Sequence, residues 1–202
     1  MNNTLNYYKD NAKSLSKRYE SADVSKVKKL LLEIFPKESY LLEIGCGSGR
    51  DANFMTENNY KILPVDASKE MIEEAKTIHP LLKNLLQVRK IPDELDFDNI
   101  FFDGIYSIAT LMHLEKNDID LVISKIYNYL KNKGMFLFSV SIQRNDIDDN
   151  HKDIHGRHFT TMNQDEWISI CSSKGFKTVK TMITNDGLDR EDIIWLTCVM
   201  EK

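Results

Sequence analysis

A carboxylate followed by three alternating glycines is the part of this sequence with the clearest chemical potential. Glu43 precedes Gly45, Gly47 and Gly49, and it lies within a short apolar run, residues 40–44, that is typical of a buried strand. Glycines let the chain turn sharply and let a ligand approach the backbone. The N–H groups that open the following helix would face that ligand. The pattern therefore predicts a nucleotide-cofactor loop at the carboxyl end of a strand.

The glycine spacing distinguishes between two classes of cofactor. A dinucleotide loop of the form G-x-G-x-x-G would place its third glycine at position 50, where this chain has Arg50. Glu43 beside the loop would also repel a pyrophosphate, whereas it would suit a cofactor with a cationic amino-acid end. The loop therefore favours S-adenosylmethionine over NAD.

A second carboxylate follows the next apolar segment. Residues 61–65 read as a strand that ends on Asp66, roughly 20 residues after the loop, which is the usual place for an acid that binds both hydroxyls of a ribose. The alternative is an acid that interacts with the dipole of the following helix. Ser68 already offers a side-chain cap for that helix, so we expect Asp66 to bind the ribose.

Strands and helices alternate along the chain, which predicts an α/β protein with a parallel sheet covered by helices on both faces. Apolar residues at helical spacing predict helices at 5–19 and 24–34, with Asp23 capping the second. Further helices are expected at 51–57 and 68–79, from Asn117 to Gly134, and from Asn163 with Glu166 as a capping box. Strands are expected at 40–44, 61–65, 84–88, 102–107, 135–140, 176–184 and 192–200. Ligands of such sheets bind at the carboxyl ends of the strands.

Composition limits the class of protein. The chain has 202 residues and a formal net charge of −4, which fits a single domain without a run of basic residues for nucleic acid. We find no apolar stretch of membrane-spanning length and no apolar core of a signal peptide near the start. The three cysteines are scattered and read as reduced thiols, so a cytoplasmic protein is expected.

The chain resembles the class I S-adenosylmethionine-dependent methyltransferases, in particular small bacterial proteins similar to the tellurite-resistance type. The resemblance rests on residues 42–51, 65–71, 102–107, 111–113, 130–136, 155–159 and 189–196. It implies a Rossmann-like, doubly wound sheet that is mostly parallel and has an antiparallel C-terminal strand, in one domain over residues 1–202. Residues 1–36 would form helices that cap the site, and residues 37–202 the catalytic core.

The resemblance also implies which residues bind S-adenosylmethionine and its product S-adenosylhomocysteine. Besides the loop residues and the two acids, they include residues of the first helix and of the segments after the third and fourth strands. The full set is Tyr8, Glu43, Gly45, Cys46, Gly47, Gly49, Arg50, Asp51, Asp66, Ala67, Met71, Lys90, Ile91, Ser107, Ile108 and Ala109.

Candidate acceptor-side residues are fewer. His113 lies just past the fourth strand, where the methyl group would point, and is a candidate base or positioning residue; the alternative is a loop histidine bonded to backbone. Tyr19, Arg157 and Arg190 are candidate substrate contacts, since guanidinium groups would suit a carboxylate or phosphate. For the arginines, ion pairing with nearby acids is an equal alternative.

The histidine-rich segment 151–158 raises the question of a metal. His151, His155 and His158 would share a face only in a helix, whereas Gly156 and the surrounding aspartates indicate a loop. We therefore expect no metal site.

The sequence thus predicts a methyltransferase that acts on a small molecule, with no membrane and no nucleic-acid partner. The first alternative is methylation of RNA or protein, although none of the sequences typical of base-methylating enzymes occurs. A second is a module that binds S-adenosylmethionine without turnover. A third, an NAD-linked reductase, is disfavoured by Arg50.

Overall fold

A computed structural model describes residues 2–98, 101–186 and 192–202. Its central element is a seven-stranded sheet in the order β3-β2-β1-β4-β5-β7-β6. The strands are β1 (Tyr40–Ile44), β2 (Lys61–Asp66), β3 (Gln87–Val88), β4 (Phe102–Ile108), β5 (Leu130–Gln143), β6 (Lys177–Asn185) and β7 (Ile194–Glu201). The pairs from β3 to β5 are parallel, and β7 runs antiparallel to both β5 and β6. This is the Rossmann-like, doubly wound sheet that the sequence predicted.

Helices cover both faces of the sheet. They are α1 (Asn2–Glu20), α2 (Ser25–Ile34), α3 (Arg50–Glu57), α4 (Lys69–Ile78), α5 (Lys116–Tyr129) and α6 (Gln164–Ser173). Apolar side chains of α2, α3 and α4 pack in one buried cluster, and those of α5 and α6 pack in another on the opposite face. None of the helices in the described ranges is long and apolar enough to cross a membrane.

The strand order fixes where a ligand can bind. The chain passes from β1 to β2 and β3 on one side, then returns to β4 on the other side of β1. The connections after β1 and β4 therefore diverge and open a crevice at the carboxyl ends of these strands. The glycine loop, Asp66 and the segment with His113 all follow strand ends at this edge.

The first helix differs from the others in its packing. Ala12 and Leu15 of α1 form a small cluster with Met71 at the start of α4, separate from the two main clusters. By contrast, α2 buries Leu30 and Leu31 within the core on its face of the sheet. The amphipathic stripe of α1 therefore covers the edge of the sheet where the strands end, rather than a face.

Several of the predicted boundaries are wrong, and four of them have a clear local reason. Asp23 accepts a hydrogen bond from the Ser25 N–H, two residues on, while Val24 occupies the N-cap of α2 without a side-chain bond. The third strand is shorter than expected because a 3₁₀ turn at Pro80–Leu82 buries Leu82 in the core, so that only Gln87–Val88 reaches β2.

The other two errors concern α5. Glu115, not Asn117, is its N-cap, because the helix starts at Lys116 and Asn117 already lies in the first turn. The helix ends at Tyr129 rather than Gly134, because Leu130 is extended and pairs with Phe102 of β4. The Ser68 cap of α4 and the capping box of Asn163 and Glu166 are confirmed.

The packing leaves no space for a side chain at Gly104 of β4, which is the register partner of Leu41 in β1. A Cβ at this position would lie 2.3 Å from the buried Phe35 ring and 2.9 Å from Leu41 Cδ2. We expect Gly104→Ala to lower the free energy of unfolding in urea by about 1–3 kcal/mol, because the packed ring has to move.

Phe35→Leu is the matched partner for this variant. Made alone, it should lower the free energy of unfolding. In the double variant with Gly104→Ala it should recover part of the stability that the alanine loses, with a coupling energy of about 0.5–3 kcal/mol. Additive effects, or an unchanged stability of Gly104→Ala, would contradict the proposed close contact.

Candidate active site

The glycine loop follows β1 in a conformation that only glycine adopts without strain. Gly45, Gly47 and Gly49 have φ angles of 76°, 54° and 80°. The N–H groups of Gly45 and Cys46 both donate to the carbonyl oxygen of Val65, at 2.8 and 3.0 Å. The loop is thereby held against the end of β2 and leads directly into α3, for which Gly49 is the N-cap.

A second strand end supports this loop from the other side. A Cβ on Gly45 would lie 2.1 Å from Oγ1 of Thr110, which follows β4. Thr110 also donates towards the Gly45 carbonyl oxygen at 3.4 Å. Sequence reasoning missed Thr110, although its position just after a predicted strand end could have drawn attention to it.

Asp66 links the loop to the start of α4. Its Oδ2 accepts the Gly47 N–H at 2.9 Å and its Oδ1 accepts the Ser68 N–H at 2.9 Å. Burial raises the pKa of this carboxyl, and the backbone N–H bonds oppose that rise. Since Ser68 provides the helix cap by accepting the Met71 N–H, Asp66 is not needed for capping. A carboxylate has about four lone-pair sites, so Asp66 retains the capacity to accept two ribose hydroxyls.

Glu43 is buried beneath the loop, with 3% of its surface exposed. It is the register partner of Tyr106 in β4, and its carboxyl interacts with the Tyr106 hydroxyl, although within the described ranges Glu43 Oε2 makes no hydrogen bond of good geometry. Burial, followed by the nearby charge of Asp51, raises the pKa of the Glu43 carboxyl well above its usual range. A buried acceptor oxygen without a donor fits a cofactor that carries an ammonium group, as the sequence predicted.

Arg50 joins α1 to the loop. Its Nε and Nη2 donate to the two carboxylate oxygens of Asp51, both at 2.9 Å, and its Nη1 donates to the Tyr19 carbonyl oxygen at 2.8 Å. The Tyr19 ring lies against the loop, 3.6 Å from where a Cβ of Gly47 would be. The structure therefore places Tyr19 at the cofactor loop.

A second link at the end of α1 comes from Glu20, which sequence reasoning missed. Its Oε1 accepts the Ser48 hydroxyl at 2.6 Å and lies 3.1 Å from His79 Nε2. Nothing in the pattern of the first helix distinguishes Glu20 from a solvated acid, because both of its partners are distant in sequence.

A separate cluster surrounds His113, which ends a 3₁₀ turn after β4. Its Nδ1 is 2.7 Å from the carbonyl oxygen of His158, and its Nε2 is 3.1 Å from the hydroxyl of Tyr8 in α1. A carbonyl can only accept, so Nδ1 carries the proton and Nε2 accepts from Tyr8. Burial lowers the pKa of His113 to about 4, with the charges of Arg157 and Arg144 acting in the same direction. His113 is therefore neutral, with one tautomer fixed.

Arg157 lies next to this cluster and is paired with Asp153. Its Nε and Nη2 contact Asp153 Oδ2 at 2.8 and 2.6 Å, and its guanidinium stacks over the Tyr7 ring at 4.7 Å. Burial and this arginine have opposing effects on the Tyr8 hydroxyl, whose pKa is raised overall. The structure thus brings Tyr8, His113 and Arg157 together, while Arg190 lies outside the described residues.

The remaining predicted cofactor residues lie around the loop with two exceptions. Met71, Ser107, Ile108, Ala67 and Ala109 lie at the ends of β2 and β4 or the start of α4. Lys90 and Ile91 belong to the segment after β3, whose Arg89 N–H donates to the Asp66 carbonyl oxygen at 2.9 Å. The Lys90 N–H donates to Glu94 at 2.7 Å, and Ile91 is buried.

The histidine-rich segment forms a loop with two isolated bridges, as its composition indicated. His155 stacks on Tyr7 with ring centroids 4.9 Å apart, and His158 Nε2 lies 2.8 Å from the Thr160 hydroxyl. In the described part of the chain, no three His, Cys, Asp or Glu side chains are arranged to hold a metal ion.

The low pKa of His113 can be measured through stability. Between about pH 6.5 and pH 4 the unfolded chain protonates this imidazole and the folded protein does not, so the free energy of unfolding falls as the pH falls. We expect His113→Gln to weaken this pH dependence. Its contribution amounts to at most about 3 kcal/mol of unfolding free energy between the two ends of this pH range. Urea unfolding at a series of pH values measures it.

A His113 resonance that titrates near pH 6.5 in NMR spectra would show that the imidazole is not held neutral.

Comparisons with known proteins agree with this site. A family profile described as methyltransferase domain matches residues 16–181. Over 103 residues the chain is 31% identical to a ubiquinone biosynthesis O-methyltransferase of Pelagibacter ubique, which covers 51% of this chain and 42% of that protein. The chain spans less than half the length of the curated relatives it matches.

Solved structures share the whole architecture at low identity. A TehB-like S-adenosylmethionine-dependent methyltransferase of Corynebacterium glutamicum aligns with a TM-score of 0.73 at 15% identity, over 96% of this chain and 98% of that one. The 1,6-didemethyltoxoflavin-N1-methyltransferase of Burkholderia thailandensis, solved with its substrate and S-adenosylhomocysteine, aligns with a TM-score of 0.75 at 15% identity, covering 98% and 86%. The chain belongs to the methyltransferase-domain family, and its fold is the one found in these S-adenosylmethionine-dependent enzymes.

Proposed function

We propose that this enzyme methylates a small molecule that binds under α1, beside His113. The observation that carries the proposal is the closure of α1 over the strand ends through bonds at both of its ends. Thr4 accepts the His158 N–H at 2.8 Å near the start, and Glu20 and the Tyr19 carbonyl are bonded to the loop side near the end. A site covered by a helix in this way favours an acceptor that is enclosed, rather than the surface of an RNA or a protein.

Charge supports the same choice. The formal net charge is −4, and the two arginines near His113 are paired with Asp146 and Asp153. An RNA substrate would need unpaired cations to neutralise its phosphates. The small-molecule methyltransferase from Burkholderia thailandensis, which matches along nearly the whole chain, gives further support.

Within this proposal α1 acts as a lid, whereas α2 is part of the core because it packs Leu30 and Leu31 there. The lid would exclude water from the acceptor and align it, which is most of what an enzyme adds when the methyl donor is already activated. The cofactor supplies that activation through the positive charge of its sulfonium.

The chain's own residues then divide into two groups. Glu43, the glycine loop and Asp66 would hold the amino-acid and ribose parts of the cofactor. Tyr8 and His113 lie towards the acceptor. Contacts of Tyr19, Arg157 and Arg190 with the substrate remain predictions, and the pairing of Arg157 with Asp153 equally suits a role in ordering its loop.

The cofactor assignment is tested by Asp66→Asn, which keeps the shape of the side chain and removes its charge. We expect S-adenosylhomocysteine to bind about 10–100-fold more weakly by calorimetric titration, because a charge-assisted hydrogen bond contributes about 1–3 kcal/mol. The exposed Asp165 on α6, changed to Asn, is the matched control and should bind like the parent. Equal affinities of the parent and Asp66→Asn would reject the ribose assignment.

The acceptor class is tested with S-adenosylmethionine that carries a labelled methyl group. The enzyme is incubated with a cell extract separated by size into small molecules, RNA and protein. We expect label in the small-molecule fraction. Label confined to RNA or protein would overturn the proposal, and binding of the cofactor without label in any fraction would favour a non-catalytic module.

A further inference from the structure

We propose that the acceptor atom of this enzyme is protic, with an O–H or S–H bond, and that it is held between the Tyr8 hydroxyl and Nε2 of His113. This inference rests on the proposed function. It narrows the substrate to alcohols, phenols and thiols. Carboxylates and thioethers are excluded, and so are amines, because the single lone pair of an amine nitrogen cannot both accept from Tyr8 and attack the methyl group.

The two ring nitrogens of His113 have fixed roles as hydrogen-bond donor and acceptor. Nδ1 donates to the carbonyl oxygen of His158 at 2.7 Å, so the lone pair of the neutral ring is on Nε2. The backbone oxygen is in turn fixed, because the same residue donates its N–H to Thr4 and its Nε2 lies 2.8 Å from the Thr160 hydroxyl. The ring cannot exchange its two nitrogens without breaking this arrangement, so Nε2 requires a donor.

The ring also stays neutral under ordinary conditions. Burial disfavours a positive charge on His113, and Arg157 and Arg144 act in the same direction; the bond to the His158 carbonyl and the charge of Asp153 oppose them without reversing the outcome. Both arginines stack on Phe159, at 5.2 and 3.9 Å from its centroid, and that ring lies 4.5 Å from His113. Nε2 therefore remains an acceptor, and it would repel the oxygen of a carboxylate.

The Tyr8 hydroxyl supplies the donor for Nε2 at 3.1 Å. Burial raises its pKa, so the phenol keeps its proton and can donate one hydrogen bond. Tyr8 belongs to α1, the proposed lid, so the two partners lie on different elements and can separate when the helix shifts. An atom that enters between them receives the Tyr8 proton in a hydrogen bond and must offer its own proton to Nε2.

Only an atom with both a lone pair and a bound hydrogen satisfies the two partners together. An aprotic acceptor would leave Nε2 without a donor in a buried place, at a cost of about 1–3 kcal/mol. On transfer, the acceptor forms a bond to the methyl carbon as the carbon–sulfur bond breaks. The acceptor proton moves to Nε2 as sulfur loses its positive charge. Because burial and the two arginines disfavour the imidazolium, it then gives this proton up to solvent when the product leaves.

The hydrogen-bond polarity can be tested without any acceptor, by NMR of protein labelled with ¹⁵N-histidine. We expect His113 to show a protonated Nδ1 and an unprotonated Nε2. Tyr8→Phe should shift the Nε2 resonance, whereas Tyr7→Phe, which keeps the neighbouring ring, should not. A proton on Nε2, or equal shifts in the two variants, would overturn the proposal whether or not the enzyme is active.

The product gives the second test, using the labelled small molecule from the extract assay. Treatment with alkali releases labelled methanol from a methyl ester but not from an ether, a thioether or an amine. We expect alkali-stable label that is not a sulfonium or quaternary ammonium ion by cation exchange. Labelled methanol, label on an amine nitrogen or a permanently cationic product would overturn the proposal, while the absence of any product would count against methyl transfer itself and leave the NMR result to decide.

Kinetic measurements with the isolated acceptor distinguish a Tyr8 hydroxyl that holds the acceptor from one that only supports the fold. Tyr8→Phe should raise the KM for the acceptor about tenfold at saturating S-adenosylmethionine, which corresponds to the loss of one hydrogen bond. Tyr7→Phe is again the matched control. An unchanged KM in Tyr8→Phe would remove this hydroxyl from the acceptor site.

Discussion

The left-handed glycine loop after β1 is the constraint on which the rest of the site depends. Gly45 has no space for a side chain because Thr110 packs against it, and Gly47 donates its N–H to Asp66. The loop thus binds the ends of β1, β2 and β4 to one another before any ligand is present. Since the ligand-facing groups belong to this backbone, their positions follow from the sheet order rather than from flexible side chains.

The position of α1, the proposed lid, also depends on this loop, because one end of the helix is bonded to it. Arg50 and Ser48 hold the Tyr19 carbonyl and Glu20, whereas the other end of the helix reaches the histidine-rich loop through Thr4. A helix with such a small apolar contact, made by Ala12 and Leu15 with Met71, gains much of its position from these polar bonds. These polar bonds are few and only part-buried, so water can replace them when the helix moves, and α1 is better suited to opening and closing than the helices packed in the core.

Local chemistry explains which parts of the structure could be predicted from the sequence. The bounds of β1, the Ser68 cap and the capping box at Asn163 follow from apolar runs and from side chains that bond within three residues. Both ends of α5 were predicted wrongly. At its C-terminal end, pairing of Leu130 with Phe102 in β4 outweighed the turn tendency of Gly134. The cofactor loop was predictable from its spacing. The bonds of Glu20 to Ser48 and of Thr4 to His158 join residues 28 and 154 positions apart, so no local pattern reveals them.

The same distinction explains why a resemblance identifies the cofactor more readily than the acceptor. The groups that we propose meet the cofactor lie at strand ends, where the fold fixes them and the sequence spacing indicates them. Groups near His113 come from α1, from the turn after β4 and from the loop around His158, and their relation depends on long-range hydrogen bonds. What such an assembly can specify is the direction of each hydrogen bond. In a buried site that direction is enforced by the cost of an unpaired donor or acceptor, so the chemical type of the acceptor can be inferred before its identity is known.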